Sequence, residues 1–464
     1  MALSGEIRYI GHIMEDIHQK LAGIGLKIPE ILLPGPGIDT EKWAVIACDQ
    51  FTQDQAYWEK ARQQAGDAPS ALNLIFPEIY LQDEGRGARI NAIHQTMAAY
   101  LRDGTFAPPR RGCVYLERNT PRHGSRRGLV IALDLEQYDW DPASRPLIRT
   151  TEGTVPERLP LRMETRRGAA LESPHILILI DDDKDEILPA LGERAKSAAP
   201  AYQSPLMLGG GDLSGWFLED PADWAFLAGG FEALAQRSRT RYGAAGEVPF
   251  LFAVGDGNHS LGAAREIWKE YKKAHAGDRD LMNHPCRYAL AEIENLYDPA
   301  IRFEPIHRVL FHTGLDELVK RLSILPGFSS RPAGDRAALS RLVGGRETDK
   351  NRLGLVSGDR GVLVEFDAPG LATVSLQPLL DDLVPSGGAG NNAPSIDYIH
   401  GEDELFRLAA NSAARAVGIL LPPVKKSGLF ETVARSGPLP RKSFSMGEAV
   451  EKRYYLECRA LFGV

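Results

Sequence analysis

Four apolar runs in this chain each meet an aspartate. Residues 43–48, 128–135, 175–180 and 249–254 are rich in Val, Ile, Leu and Ala, and the acids are Asp49, Asp134, Asp181 and Asp256. Runs of this kind, bounded by turn signals, read as strands covered on both faces. They demand a sheet with layers packed on either side. Helical spacing supplies those layers. Apolar positions three and four apart mark 90–101, 260–274 and 446–461, and Thr52 with Gln55 forms a capping box opening a helix to about residue 65. Residues 113–117 and 128–135 read as a hairpin, and so do 362–366 and 372–376. The expected fold is α/β or α+β, with mixed sheets and flanking helices.

A length of 464 residues exceeds one ordinary core. The chain divides near residue 312, into a main domain 1–312 and a C-terminal α+β region 313–464. Gly, Ser, Asn and Pro make 384–395 an exposed loop. The net charge of −8 argues against a nucleic-acid surface. No apolar run is long enough to span a bilayer, so no membrane partner is expected. Cys48, Cys113, Cys286 and Cys458 are scattered, without a CxxC pair, which favours a reducing cytoplasm. Oligomeric state is not legible.

The most informative stretch is "LFAVGDGNHSLGAAREIWKEYKK", 251–273. A buried run stops at Asp256 and a helix begins near Ser260. Gly255 and Gly257 permit a positive φ and close backbone approach. A helix start leaves amide groups unsatisfied and the positive dipole end exposed. Together with Asn258 and Ser260 they form a cradle for an anion, commonly phosphate. Asp256 could hold a metal or accept a hydroxyl proton, and His259 could donate to a phosphate oxygen. The alternative is a plain strand-to-helix turn capped by Asn258 or Ser260. The segment is neither a Walker loop nor a dinucleotide fingerprint.

Three further stretches bear polar groups. In "IRTTEGTVPERLPLRMETRR", 148–167, Arg149, Arg158, Arg162, Arg166 and Arg167 offer forked donors around Glu152 and Thr154; a self-paired charged loop is the other reading. Asp49 and Thr52 follow the first apolar run and would share an edge with Asp256 if the strands were parallel. His307 and Arg308 lie in "EPIHRVLF" and could serve a ligand or a core. Histidines show no metal-ligand spacing such as HExxH.

These residues resemble the bacterial and archaeal domain-of-unknown-function family numbered ten-fifteen, whose mark is an "ADGHHR"-like segment after a strand. Here it stands as "VGDGNHS". "ACDQFT", "RTTEGTVPER", "PHILILIDD", "PIHRV", "YIHGED" and "GPLPRKSFSMGEAVEKRYYLECR" match in order over nearly the whole chain. The segment is similar to the phosphate-binding turn of the superfamily of ParB nucleotidases, sulfiredoxins and free-serine kinases. The resemblance implies phosphotransfer between a nucleotide, ATP or ADP with Mg2+, and free serine or phosphoserine, in either direction. A phosphatase of a small phosphometabolite and a non-catalytic nucleotide-binding regulator are the other classes. Asp256, Gly257 and His259 match the motif. Asn258 replaces a usual His and Ser260 a usual Arg, so an arginine from 149–166 would have to supply the charge. Glu152 and Thr154 match the family's "HExT" segment, which makes Glu152 the expected acceptor of the serine proton. Arg158 or Arg162, with Asp49, would clamp the amino acid.

Overall fold

The computed structural model describes residues 2–243, 248–345, 350–368, 370–384, 393–410 and 415–462, with side chains from residue 11 onward. Contacts divide the chain into two compact units. One is Met1–Arg302 with Gly447–Val464; the other is Phe303–Met446. The sequence reading placed its cut at 312 and gave everything beyond it to one region.

The first unit is built on a nine-stranded mixed sheet. In chain order its strands are β1 Leu26–Lys27, β2 Cys113–Thr120, β3 Gly124–Asp134, β4 Ile148–Thr150, β5 Leu177–Ile180, β6 Tyr202–Pro205, β7 Asp212–Leu218, β8 Phe252–Asp256 and β9 Tyr288–Asn295. In space they run β6-β7-β2-β3-β9-β5-β8-β4, with β1 against β3. Alternate residues go to opposite faces, as the strand period requires. Tyr115, Ile131 and Ala291 join a core with Leu188, Phe231 and Trp268, from the helices Ile187–Ala195, Pro221–Tyr242 and Asn258–Ala274. Leu116, Val130 and Leu290 join a second core on the other face, with Trp58 and Ile93 from the helices Gln55–Ala65 and Arg86–Arg102. The double cover expected from the apolar runs is therefore present. The hairpin at 113–135 is present too, as β2 against β3.

Several local expectations are corrected. Residues 43–48 are no strand of this sheet: Thr40–Trp43 is a short helix, and Val45–Ile46 pairs only with Tyr454–Tyr455. The helix Gln55–Ala65 is capped by Asp54, which accepts from Tyr57 N, rather than by Thr52. Residues 446–461 form no helix. They run as a turn, Ala449–Glu451, and two short strands, Tyr454–Tyr455 and Arg459–Ala460. Their apolar spacing misleads because polar residues are buried alongside.

That segment is held by arginines. Arg118 donates to the carbonyls of Lys452, Val450 and Gly210, each at 2.8 Å, and Arg126 to that of Glu451 at 3.0 Å. Arg453 binds Glu292, Glu457 and the carbonyl of Pro174. All three guanidinium groups are buried. Burial alone would raise the pKa of Glu292, but Arg453 and Arg126 hold it below the carboxylate range. Glu294 is pushed well above that range by burial; Arg126 opposes the rise and the neighbouring Glu292 adds to it.

The second unit has a seven-stranded sheet. Its strands are β10 Phe303–Phe311, β11 Ser329–Pro332, β12 Asn351–Ser357, β13 Arg360–Phe366, β14 Ser395–His400, β15 Val417–Leu420 and β16 Phe444–Met446, in the order β11-β13-β12-β15-β10-β14, with β16 against β10. The partners of 362–366 are β11 and β12, not 372–376. Ala372–Asp381 is a helix, because Ala372, Leu376 and Leu380 recur every four residues and all are buried. Most of the loop expected at 384–395 lies outside the described residues. Among the described residues no helix is long and apolar enough to cross a membrane.

Replacing Arg453 with Met leaves the buried Glu457 without its cation and Glu292 with Arg126 alone. Loss of one partner from a buried pair costs about 3–5 kcal/mol. A urea titration should show that loss for Arg453→Met, and a smaller loss when Glu292→Gln is added. Equal stability of wild type and Arg453→Met would mean that the segment is held by its backbone alone.

Candidate functional site

The turn after β8 is shaped by its two glycines. Opposite β5, Val254 pairs with Ile178 and Asp256 with Leu177, so Gly255 is the extra residue of a bulge. Gly257 has φ +81° at the helix cap, and a Cβ there would lie 3.1 Å from the Ile176 backbone. The helix Asn258–Ala274 then begins with no side chain capping it. Its start is at Asn258 rather than Ser260. A side chain at Gly257 would strain the turn itself, so this position is no clean probe of binding.

Asp256 is anchored twice. Gly257 N donates to Oδ1 at 3.0 Å, and Lys452 Nζ lies 3.0 Å from Oδ2. Burial would raise the Asp256 pKa, but Lys452, His175 and the Gly257 amide together hold it below the ordinary value. Lys452 itself is buried. The sequence reading sought the compensating cation among the arginines of 149–166. The structure places Lys452 here instead, far along the chain.

His175 is the second residue the sequence reading passed over. Its Nε2 lies 3.0 Å from Ser260 Oγ and 3.8 Å from Asp49 Oδ2. Tyr455 OH accepts from Cys48 N at 3.2 Å and stands 2.7 Å from His175 Nδ1. The two ring nitrogens thus reach different partners, Nδ1 the tyrosine and Nε2 the Ser260 hydroxyl and the Asp49 carboxylate. Asp49 and Asp256 thus flank one histidine, although they do not end parallel strands of one sheet. Gln50 Nε2 donates to the other Asp49 oxygen at 2.9 Å. The only sequence signal for His175 was its place just before an apolar run.

The 151–155 loop lies on the same turn. β4 runs parallel to β8, with Thr150 beside Val254. Glu152 lies in the loop that follows β4. Thr151 Oγ1 donates to Val254 O at 2.7 Å, and Val155 N donates to His259 Nε2 at 3.2 Å. The His259 proton is then on Nδ1. Thr154 Cγ2 would sit 3.6 Å from a Cβ on Gly262. Asn258 Oδ1 is buried without a hydrogen-bond partner.

The other expected residues are placed as follows. Arg162 pairs with Glu78, and both line a cavity of about 140 Å³ together with Cys48, His175 and Ser260. Arg158 is exposed, and its carbonyl accepts from Arg162. Arg149 turns to the Pro146 carbonyl and the Phe250 ring, Arg166 to Glu172 and Arg167 to Glu270. Thr52 is exposed in a turn. His307 and Arg308 belong to the second unit. His307 Nδ1 accepts from Leu421 N at 3.1 Å, and burial lowers its pKa to about 4. Arg308 is fully buried and donates to Gln377.

The family profile described as "Protein of unknown function (DUF1015)" matches residues 32–381. The chain belongs to that family. No curated protein matches it. Among solved structures, a free serine kinase in complex with AMP is similar at 12% identity and a TM-score of 0.35, covering 70% of this chain and 90% of the other. A conserved hypothetical protein from Pyrococcus furiosus is similar at 11% identity and a TM-score of 0.32, with 70% and 90% covered. SbnI with a C-terminal truncation, from Staphylococcus aureus, is similar at 8% identity and a TM-score of 0.33, with 68% and 82% covered. At these scores the likeness says nothing of this chain's chemistry.

A depressed carboxylate pKa stabilises the fold above the unfolded value, near pH 4 for aspartate, and that stability fades as the pH falls through the folded value. The urea midpoint of wild type should therefore exceed that of Asp256→Asn by a constant margin from pH 5 to 8. The margin should shrink on acidification below about pH 4. A margin independent of pH down to pH 2 would show that the Lys452–Asp256 charge pair is not its source.

Proposed function

We propose that the first unit transfers a phosphoryl group between a nucleotide, ATP or ADP, and a small hydroxy amino acid, free serine or phosphoserine. The observation that carries this reading is the buried Lys452, held by Asp256 at the mouth of an uncapped helix start. A buried lysine and a bare helix N-terminus together favour a multiply charged anion. The motif residues shared with the phosphate-binding turn of free-serine kinases support the same reading.

In this mechanism the amides at 257–260 and Lys452 hold the phosphates. The Ser260 hydroxyl, beside His175, offers its proton to a phosphate oxygen. Arg162 and Glu78 are set to meet the carboxylate and ammonium of an amino acid in the adjoining cavity. Asp256 is a poor proton acceptor, since both its oxygens are engaged and its pKa is depressed. We therefore assign the hydroxyl proton to Glu152, in the loop that follows β4. No cluster of three or more His, Cys, Asp or Glu suited to a metal occurs among the described residues. That fits a magnesium ion held chiefly by the substrate phosphates, which would supply charge neutralisation.

Phosphorus NMR of the purified protein with magnesium, nucleotide and serine, and then with phosphoserine, tests the reading. Phosphoserine growth in step with nucleotide loss supports it. Orthophosphate alone would make the protein a phosphatase, and saturable binding without turnover a regulator. Glu152→Gln should lower the rate at saturation by about 10²-fold or more with nucleotide affinity little changed. Lys452→Met should weaken nucleotide binding about tenfold or more, the loss of a charge-assisted contact. If Glu152→Gln instead lowers affinity and stability together and keeps the rate, the glutamate organises the loop and the acceptor is elsewhere.

A further inference from the structure

The cavity of about 140 Å³ beside the glycine turn has more apolar wall than a serine can use. Polar groups line part of it. They are Ser260 and His175, whose Oγ and Nε2 lie 3.0 Å apart, and the Arg162–Glu78 pair. Most of the remaining lining is apolar and includes the buried Leu74, Ile75, Phe76, Met97, Leu171 and Leu290. These side chains come from separate stretches of the chain and belong to one core, which also holds Trp58 and Ile93. A hollow of about 150 Å³ with such a lining holds a benzene ring. Serine has a single methylene to set against it.

Glu78 supplies a second observation. Burial raises its pKa, and Arg162 beside it opposes the rise without cancelling it. The acid is short of positive charge, which an ammonium group would provide. A β-hydroxy amino acid carries its ammonium and carboxylate on one carbon and its hydroxyl on the next. With the charged groups at Glu78 and Arg162 and the hydroxyl at Ser260 and His175, the substituent left for the apolar wall is the one on the β-carbon. We propose that the acceptor is a β-hydroxy amino acid whose β-carbon bears an apolar group, up to the size of a phenyl ring. This rests on the phosphoryl-transfer reading of the same site. In the transfer the hydroxyl oxygen bonds to the terminal phosphorus of the nucleotide as the bond from that phosphorus to its bridging oxygen breaks. The hydroxyl proton passes to Glu152.

Calorimetry of the full chain, with and without ADP, compares L-serine, L-threonine and β-phenylserine. Each carbon buried on the wall is worth roughly fourfold in affinity, so threonine should bind about fourfold and β-phenylserine about tenfold or more tighter than serine. Ala169→Leu adds bulk to the lining, and Leu81→Ala trims it at a half-buried position. Each should lower the preference for β-phenylserine over serine about fivefold, and a melting curve checks that each variant folds. The inference is overturned if β-phenylserine binds no more tightly than serine, or if both folded variants keep the wild-type preference. Phosphorus NMR separates this from the wider reading. Phosphoryl transfer to serine, with no gain in binding for β-phenylserine, overturns the inference alone. Tighter binding of β-phenylserine with no transfer to any of the three supports the apolar cavity and overturns the transfer.

Discussion

The candidate site rests on buried guanidinium groups that grip a strand of backbone. Arg118 and Arg126 project from paired strands of the sheet and bind consecutive carbonyls between Val450 and Lys452. Arg453 ties the next residue to Glu292 on β9. Each of these cations is costly to bury, and each is compensated by acceptors that the 447–464 segment or the sheet provides. The segment has little regular structure of its own. Its position, and therefore that of Lys452, is set by these contacts.

What they deliver is a fixed carboxylate. Asp256 is clamped by a backbone amide and a lysine, so it holds a cation in place. Glu152 lies in the loop after β4, the strand that pairs in parallel with β8. Under the proposed mechanism the two acids would divide the work, one fixed as a charge and one left to exchange a proton. His175 links Tyr455 to Ser260 through its two ring nitrogens.

The sheet was legible because most of its central strands are apolar on both faces, although the similar run 43–48 is buried outside it. The turn at 255–260 was legible because glycine has few reasons to recur at a strand end. What escaped was whatever depends on distant parts of the chain. Lys452 is one lysine among many until Arg118 and Arg126 place it. His175 stood beside a good strand signal but its partners, Tyr455 and Ser260, lie in other segments. The 446–461 stretch read as a helix because its apolar spacing is helical, while the decisive fact is that Arg453 and Glu457 are buried. The 372–381 helix was mistaken for a strand because a short apolar window fits both periods.

The second unit interrupts the first in sequence. The chain leaves at Arg302 and returns at Gly447, whose amide donates to the Arg302 carbonyl at 2.9 Å. During synthesis this has an effect on timing. The sheet, the glycine turn and Glu152 all leave the ribosome before residue 303, yet Lys452 follows only after the whole second unit has been made. Until then Asp256 lacks Lys452, and Arg118 and Arg126 lack the carbonyls of residues 450–452. A nascent chain can therefore form the scaffold early but cannot assemble the charged site until synthesis has passed residue 453.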